Sequence, residues 1–242
     1  MHEKSQIQKT IKTMRLIRQD QVLQATLCLV QATLENLLYQ ERVEKFLHIK
    51  EKEYLNNLVY PQRKLSYLLG RYCAKQVLCQ QFRGTAMSDI LINPGVFGQP
   101  IVRSLHTPSA QVSIAHSKNL GVALAFEAIH PMGIDIEIVS PETVSTVLPE
   151  LTQQEKALLQ EKWQIASGCR YTWIWTVKEA LGKILKTGLM TPLFIYEIDD
   201  IRYQNAYILA KYKNFPQYQA LSFFYKDAIV SIALPQATHL SF

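Results

Sequence analysis

The chain has 242 residues, 48% hydrophobic and 19% charged, enough for one large domain or two small packed halves and unlike a disordered or fibrous protein. No stretch approaches the ~18 consecutive apolar residues of a membrane span, and the N-terminus lacks the apolar core and small-residue cleavage site of a secretory signal. A net charge of +6 favours an anionic partner, whether nucleic acid, phosphorylated ligand or acidic protein.

In chain order, "MHEKSQIQKTIKTMRLIRQDQ" places Ile7, Ile11, Met14 and Ile17 near helical spacing, predicting an amphipathic extension over residues 1–20, with an organelle presequence as the alternative. "LQATLCLVQA" alternates as a strand. Helical spacing then runs from Glu35 to Phe82, with Pro61 as a break. Asn-Pro-Gly and Phe-Gly-Gln-Pro mark loops. "AQVSIAHS" and "LGVALAFEAI" read as strands joined at Lys118-Asn119, and "MGIDIEIV" reads as the third strand of a meander. A connection over 140–150 leads to helical sequence ending at "KEALGKILKTG", and four further strands close the chain. The four cysteines form no Cys-x-x-Cys pair, which predicts reduced, buried thiols.

This order contains a repeat. "HIKEKEYLNNLVYPQRKLSYLLGRYCAKQVL" corresponds to "LTQQEKALLQEKWQIASGCRYTWIWTVKEALGKIL", and "SKNLGVALAF" to "YKDAIVSIAL". The fold class expected is α+β: two similar α/β halves, residues 21–130 and 131–242, related by a pseudo-two-fold with a ligand site at their interface.

Two stretches carry chemistry. In "PMGIDIEIV", Asp135 and Glu137 share one face of a strand, roughly 7 Å apart. Like charges that close repel unless a cation stands between them, and an oxygen-ligated divalent metal is the simplest one. In "RYTWIWTVKEALGKILKTGL", Glu179 and Lys183 lie four apart, on one helix side with Gly182 and Lys186. Alone, that is an ordinary surface ion pair. Beside the strand, Asp135, Glu137 and Glu179 converge as Mg2+ ligands, Lys178 and Lys183 hold phosphates, and Gly182 leaves room for a bulky anion.

"GIDIE" followed by "WTVKEALGK" resembles the signature of the 4′-phosphopantetheinyl transferases: Gly-Ile/Val-Asp, then Trp/Phe-Ser/Thr-x-Lys-Glu-Ala/Ser-x-x-Lys. Gly133, Ile134, Asp135, Trp175, Thr176, Lys178, Glu179, Ala180 and Lys183 fill every position. Chain length and the repeat resemble the monomeric, surfactin-type branch. The resemblance implies transfer of the phosphopantetheine arm of coenzyme A to a serine of an acyl or peptidyl carrier protein, with release of 3′,5′-ADP. It implies Mg2+ (or Mn2+) on Asp135, Glu137 and Glu179, Glu179 as general base, and Lys183 at the leaving nucleotide.

"KLSYLLGRYCAKQVL", "FGQPIV" and "SIAHSKNLGVALAF" are similar to the family's first helix, its Gly-Lys/Arg-Pro loop and its Ser-x-Ser-His-Ser strand. They imply His116, Arg71, Arg63, Gly98 and Pro100 as coenzyme A contacts, with Lys178 and Lys183. Gln99 departs from the family's basic residue and Ala115 from its serine. The resemblance also implies a cytoplasmic enzyme that meets neither membrane nor nucleic acid. Taken alone, Trp175 reads as core, while Thr176 reads either as a helix cap or as a contact to the arm. Two rival readings are a non-catalytic relative that binds coenzyme A or carrier proteins, and a metal-dependent nuclease using Asp135, Glu137 and Glu179.

Overall fold

A computed structural model describes residues 7–19, 21–38, 40–103, 109–188 and 191–241, with no side chain given at 40–42. The chain divides into two compact units, Met1–His130 with His239–Phe242, and Pro131–Thr238.

The N-terminal unit begins with an antiparallel hairpin, β1 (Gln8–Arg18) and β2 (Gln21–Gln31), paired from Gln8↔Gln31 to Arg18↔Gln21. The helical character expected of residues 1–20 is therefore corrected for 8–18, while residues 1–6 and 20 lie outside the described residues. Met14 and Leu16 alternate into the core while Thr13 and Arg15 point out, so within this stretch the period of two overrides the looser helical spacing. Helices α1 (Leu34–Leu38), α2 (Gln40–Phe46), α3 (Ile49–Asn57) and α4 (Pro61–Gln81) follow. Pro61 starts α4 at a position where its missing N–H costs nothing. A small hairpin, β3 (Leu91–Pro94) with β4 (Pro100–Arg103), precedes β5 (Ala110–Ser117) and β6 (Leu120–Glu127). The unit's five-stranded sheet has the order β12-β1-β2-β6-β5, where β12 (His239–Ser241) returns from the C-terminus to pair with β1. Leu68, Leu69, Cys73, Ala74 and Val77 of α4 are buried in the hydrophobic core with residues of β2 and β6.

The C-terminal unit comprises β7 (Gly133–Ile138), α5 (Glu142–Val147), α6 (Gln153–Lys162), α7 (Arg170–Leu185), β8 (Ile198–Gln204), β9 (Tyr207–Tyr212), β10 (Tyr218–Tyr225) and β11 (Ala228–Pro235). Its sheet order is β7-β11-β10-β9-β8. The expected meander is corrected here: β7 pairs with β11, because the free side of β6 is already taken by β2. Ile174, Val177, Ala180 and Leu181 of α7 pack into this unit's core with Ile229 and Ala233 of β11.

The repeat expected from sequence appears as matching element order, β2-α3-α4-β3-β4-β5-β6 beside β7-α6-α7-β8-β9-β10-β11. The two-residue turns correspond as well, with Lys118 (φ 50°) and Lys226 (φ 56°) both left-handed. Each unit is a mixed α+β layer of sheet and helix.

One brace is built twice. Glu51 of α3 and Glu155 of α6 close capping boxes, accepting from the N–H of His48 (3.0 Å) and Thr152 (3.1 Å). Each then accepts from a strand N–H, Ile92 at 3.1 Å and Ile198 at 3.0 Å. Each also pairs with a fully buried lysine on the long helix, Lys75 or Lys178. One carboxylate thus joins helix start, strand and long helix in both units.

Candidate active site

In the C-terminal unit the site grows from the packing of α7 on β7. A Cβ on Gly133 would stand 2.0 Å from the Ala180 carbonyl oxygen, so only glycine admits this approach of helix to strand. Thr176 Oγ1 lies 2.9 Å from the Trp173 carbonyl and 2.7 Å from Ser231 Oγ. Ser231 in turn meets Ser222 at 2.8 Å, and Trp173 Nε1 donates to Ser222 at 3.1 Å. This buried hydroxyl chain ties α7 to β10 and β11, and Ser231 is the register partner of Asp135. Thr176 is therefore a structural link between helix and sheet, and Trp175 is half-buried against the core.

With α7 so placed, Lys183 Nζ donates to Asp135 Oδ1 at 2.8 Å and to the Ile134 carbonyl at 2.7 Å. Asp135 is buried, and its Oδ2 has no hydrogen-bond partner among the described residues. Burial pushes the Asp135 carboxyl up, while Lys183 and the Ile136 N–H pull it down. Glu179, one helical turn before Lys183, is pushed up to about 6, first by burial and then by the negative charge of Asp135, against the pull of Lys183. Alternation along β7 gives Glu137 the same face as Asp135, and Glu137 is half-buried. Among the described residues no three carboxylate, histidine or cysteine side chains are gathered as a ready-made metal cluster. Asp135 and Glu179 are near enough for the charge of one to raise the other, Glu137 shares the β7 face of Asp135, and the unpartnered Asp135 Oδ2 is an oxygen donor of the type a hard cation such as Mg2+ takes.

Two expectations are corrected. Lys178 does not reach a phosphate: it is fully buried, 2.7 Å from Glu155 Oε1, and donates to the Leu193 carbonyl at 3.0 Å. Burial lowers its pKa and Glu155 raises it, the balance lying on the low side. Gly182 does not face an anion either. It is buried beside Tyr196 and Thr187, and its carbonyl accepts from the Thr187 N–H at 3.1 Å.

The N-terminal unit holds a cavity of about 290 Å3. Arg63, Arg71, Gly98, Pro100 and His116, all expected as ligand contacts, line it together. Ile114 and His116 reach it from one face of β5, whereas Ala115 points to the other face and is buried. Gly98 (φ 79°) allows the turn between β3 and β4. Gln99 Oε1 accepts from the Phe97 N–H at 3.0 Å, so this side chain closes its own loop and is not among the cavity-lining residues.

Sequence reasoning missed Tyr54, Ser66, Tyr67 and Glu51. The signal was present for two of them: Arg63, Ser66, Tyr67, Gly70 and Arg71 follow the spacing of one helix face. Tyr67 lies 4.8 Å beneath the Arg71 guanidinium. Its hydroxyl is pushed up to about 12, mainly by burial.

Residues 131–233, the stretch holding all of the C-terminal site, match the family model of the 4′-phosphopantetheinyl transferase superfamily. That match covers less than half of the chain and makes residues 131–233 similar to this superfamily.

Two relatives extend the likeness beyond those residues. The 4′-phosphopantetheinyl transferase ffp of Bacillus subtilis is 23% identical over 158 residues, 65% of this chain and 68% of the relative. The 4′-phosphopantetheinyl transferase gsp of Aneurinibacillus migulanus is 28% identical over 133 residues, 54% of this chain and 53% of the relative, so that match spans about half of the relative's length. Among solved structures, a holo-(acyl-carrier-protein) synthase from Bacillus anthracis in complex with CoA (3′,5′-ADP) covers 47% of this chain and 96% of its own, at a TM-score of 0.37 and 18% identity. The Thermotoga maritima holo-[acyl-carrier-protein] synthase covers 52% of this chain and 69% of its own, at 0.32 and 17%. No helix among the described residues is long and apolar enough to cross a membrane.

Proposed function

We propose that this protein transfers the 4′-phosphopantetheine arm of coenzyme A to a serine hydroxyl of an acyl or peptidyl carrier protein, as a monomer of the surfactin-type branch. The observation that carries the reading is the Asp135–Lys183 pair with Glu179 one turn away, inside the residues that match the family. The serine oxygen forms a bond to the phosphorus that bears the pantetheine arm. The bond from that phosphorus to the nucleotide's bridging oxygen breaks, and 3′,5′-ADP leaves.

Glu179 takes the serine proton, directly or through a water. A carboxyl held near 6 is ionised at neutral pH yet more basic than an ordinary glutamate, which suits that task. Lys183, already aimed at the Asp135 carboxylate, places an ammonium where the departing phosphate oxygens gather charge. Asp135, Glu137 and Glu179 would hold Mg2+ (or Mn2+). When bound, that ion supplies charge neutralisation and orientation for the diphosphate. The cavity framed by Arg63, Arg71 and His116 offers cationic and hydrogen-bonding groups for the phosphates of coenzyme A.

The deciding experiment is the intact mass of an apo carrier protein incubated with this protein, coenzyme A and Mg2+. The expected result is a gain of one phosphopantetheine, lost with EDTA and with Glu179→Gln. Coenzyme A binding without any covalent product would instead favour a binding-only relative.

A further inference from the structure

The brace built twice differs in one respect. In the C-terminal unit Glu155 is engaged by Lys178, its own cap and a strand N–H. In the N-terminal unit Glu51 has the same three partners and a fourth, an ion-pair contact: Arg71 Nε stands 3.2 Å from Glu51 Oε1, without a hydrogen bond formed at that nitrogen. Arg71 Nη2 also donates to the Ile92 carbonyl at 3.0 Å, and Ile92 is the residue whose N–H Glu51 accepts. The guanidinium stacks on Tyr67 while lining the cavity. Glu51 is 2% exposed and is not itself among the lining residues; its carboxylate meets the lining at Arg71, and its backbone carbonyl accepts from the Tyr67 hydroxyl at 3.4 Å.

We infer that Glu51 is a positioning residue, which holds the Arg71 guanidinium in register as a phosphate-binding group of the N-terminal cavity. The inference rests on the proposed function for the identity of the ligand, coenzyme A. Its physical basis is orientation together with charge. A guanidinium is a planar fork whose value to a phosphate depends on its direction, and fixing it before binding removes an ordering cost. Glu51, Lys75 and Arg71 together carry one negative and two positive charges. Lys75 is fully buried, so the surplus positive charge is presented at Arg71. The buried Glu155–Lys178 pair balances itself and has no arginine ion-pair partner among the described residues.

The test is a double-mutant cycle on the full chain, reading the dissociation constant for coenzyme A, KM for coenzyme A and kcat. Glu51→Gln should raise KM about tenfold with kcat within about twofold, the scale of losing one charge-assisted contact to the arginine. Because Glu51 acts through Arg71, the Glu51→Gln/Arg71→Ala double variant should bind no worse than Arg71→Ala alone. Glu155→Gln is the matched control. It should lower the melting temperature and leave KM for coenzyme A in place.

A folded Glu51→Gln variant with wild-type affinity would overturn the inference, as would losses in the double variant that simply multiply. If Glu51→Gln does not fold, Arg71→Lys decides, since it keeps the charge but lacks the planar fork that lies against Glu51, Ile92 and Tyr67. Wild-type affinity there overturns the inference, and a loss of about tenfold upholds it. A wild-type protein that binds no coenzyme A removes the proposed function and the inference with it. A wild-type protein that binds, beside a Glu51→Gln variant that binds equally, removes the inference alone.

Discussion

The two units have one scaffold and opposite chemistry. Aligning Lys75 with Lys178 places Gln76 and Gln80 of α4 where α7 carries Glu179 and Lys183. Aligning the turns at Lys118 and Lys226 sets Ala123 against Ser231, and their cross-strand partners are Cys28 in one unit and Asp135 in the other. By the same registers Val30 stands where Glu137 does. In the other direction, the cavity's Arg71 and His116 correspond to Ile174 and Phe224. What both units keep is the buried glutamate–lysine brace. The part retained twice is buried framework, and the parts that differ are the residues proposed to meet ligand.

That comparison can be broken most severely at the carboxylates. Asp135→Ala and Glu179→Gln should each cut transfer by about 10²–10⁴-fold, the range of a lost general base, while Cys28→Ala at the equivalent place leaves turnover essentially intact. The rate should also rise with pH through about 6 and level off above it, because Glu179 accepts a proton only when ionised. The stability sign is the reverse. Glu179 binds its proton more tightly folded than unfolded, so its charging costs stability as pH rises from 4.5 to about 6. Glu179→Gln should flatten that segment of the stability–pH curve, and a segment unchanged in the variant would count against this environment for the carboxyl.

The brace comes next. Lys178→Met leaves Glu155 buried without its counter-charge and should lower unfolding free energy by about 3–5 kcal/mol in a denaturant titration. Lys75→Met should do the same to the N-terminal unit, and the two effects should be similar if the braces are equivalent. Lys178→Met with full stability but lost coenzyme A affinity would reinstate Lys178 as a ligand contact. Gly133→Ala should cost about 1–3 kcal/mol or more by overpacking against the Ala180 carbonyl, and it should reduce turnover by shifting Asp135 relative to Lys183. The smallest effect belongs to Gln99→Lys. That side chain closes its own loop, so KM for coenzyme A should move by less than about threefold.

The motif pair "GIDIE" and "WTVKEALGK" was readable because it combines strand period, helix period and distinctive residue types, and Asp135, Glu179 and Lys183 do come together. Arg63, Arg71, Gly98, Pro100 and His116 were found through resemblance, and one cavity gathers them. Lys178 was misread because helical spacing puts it next to Glu179 and says nothing of which neighbour is packed on that side. Residues 8–18 were misread because their apolar positions suit two periods, and pairing with β2 and β12 selects one of them.

By itself, then, the sequence determined the mixed α+β character, the repeated element order and the candidate set Asp135, Glu179 and Lys183, since these follow from local periodicity, residue chemistry and a spaced pair of motifs. Only the tertiary structure decided the strand partner of β7, the burial of Lys178, the hydroxyl chain through Thr176 and the hold of Glu51 on Arg71. Each of these depends on contacts between residues distant in the chain, whose strength is set by burial and geometry, quantities that no local pattern encodes.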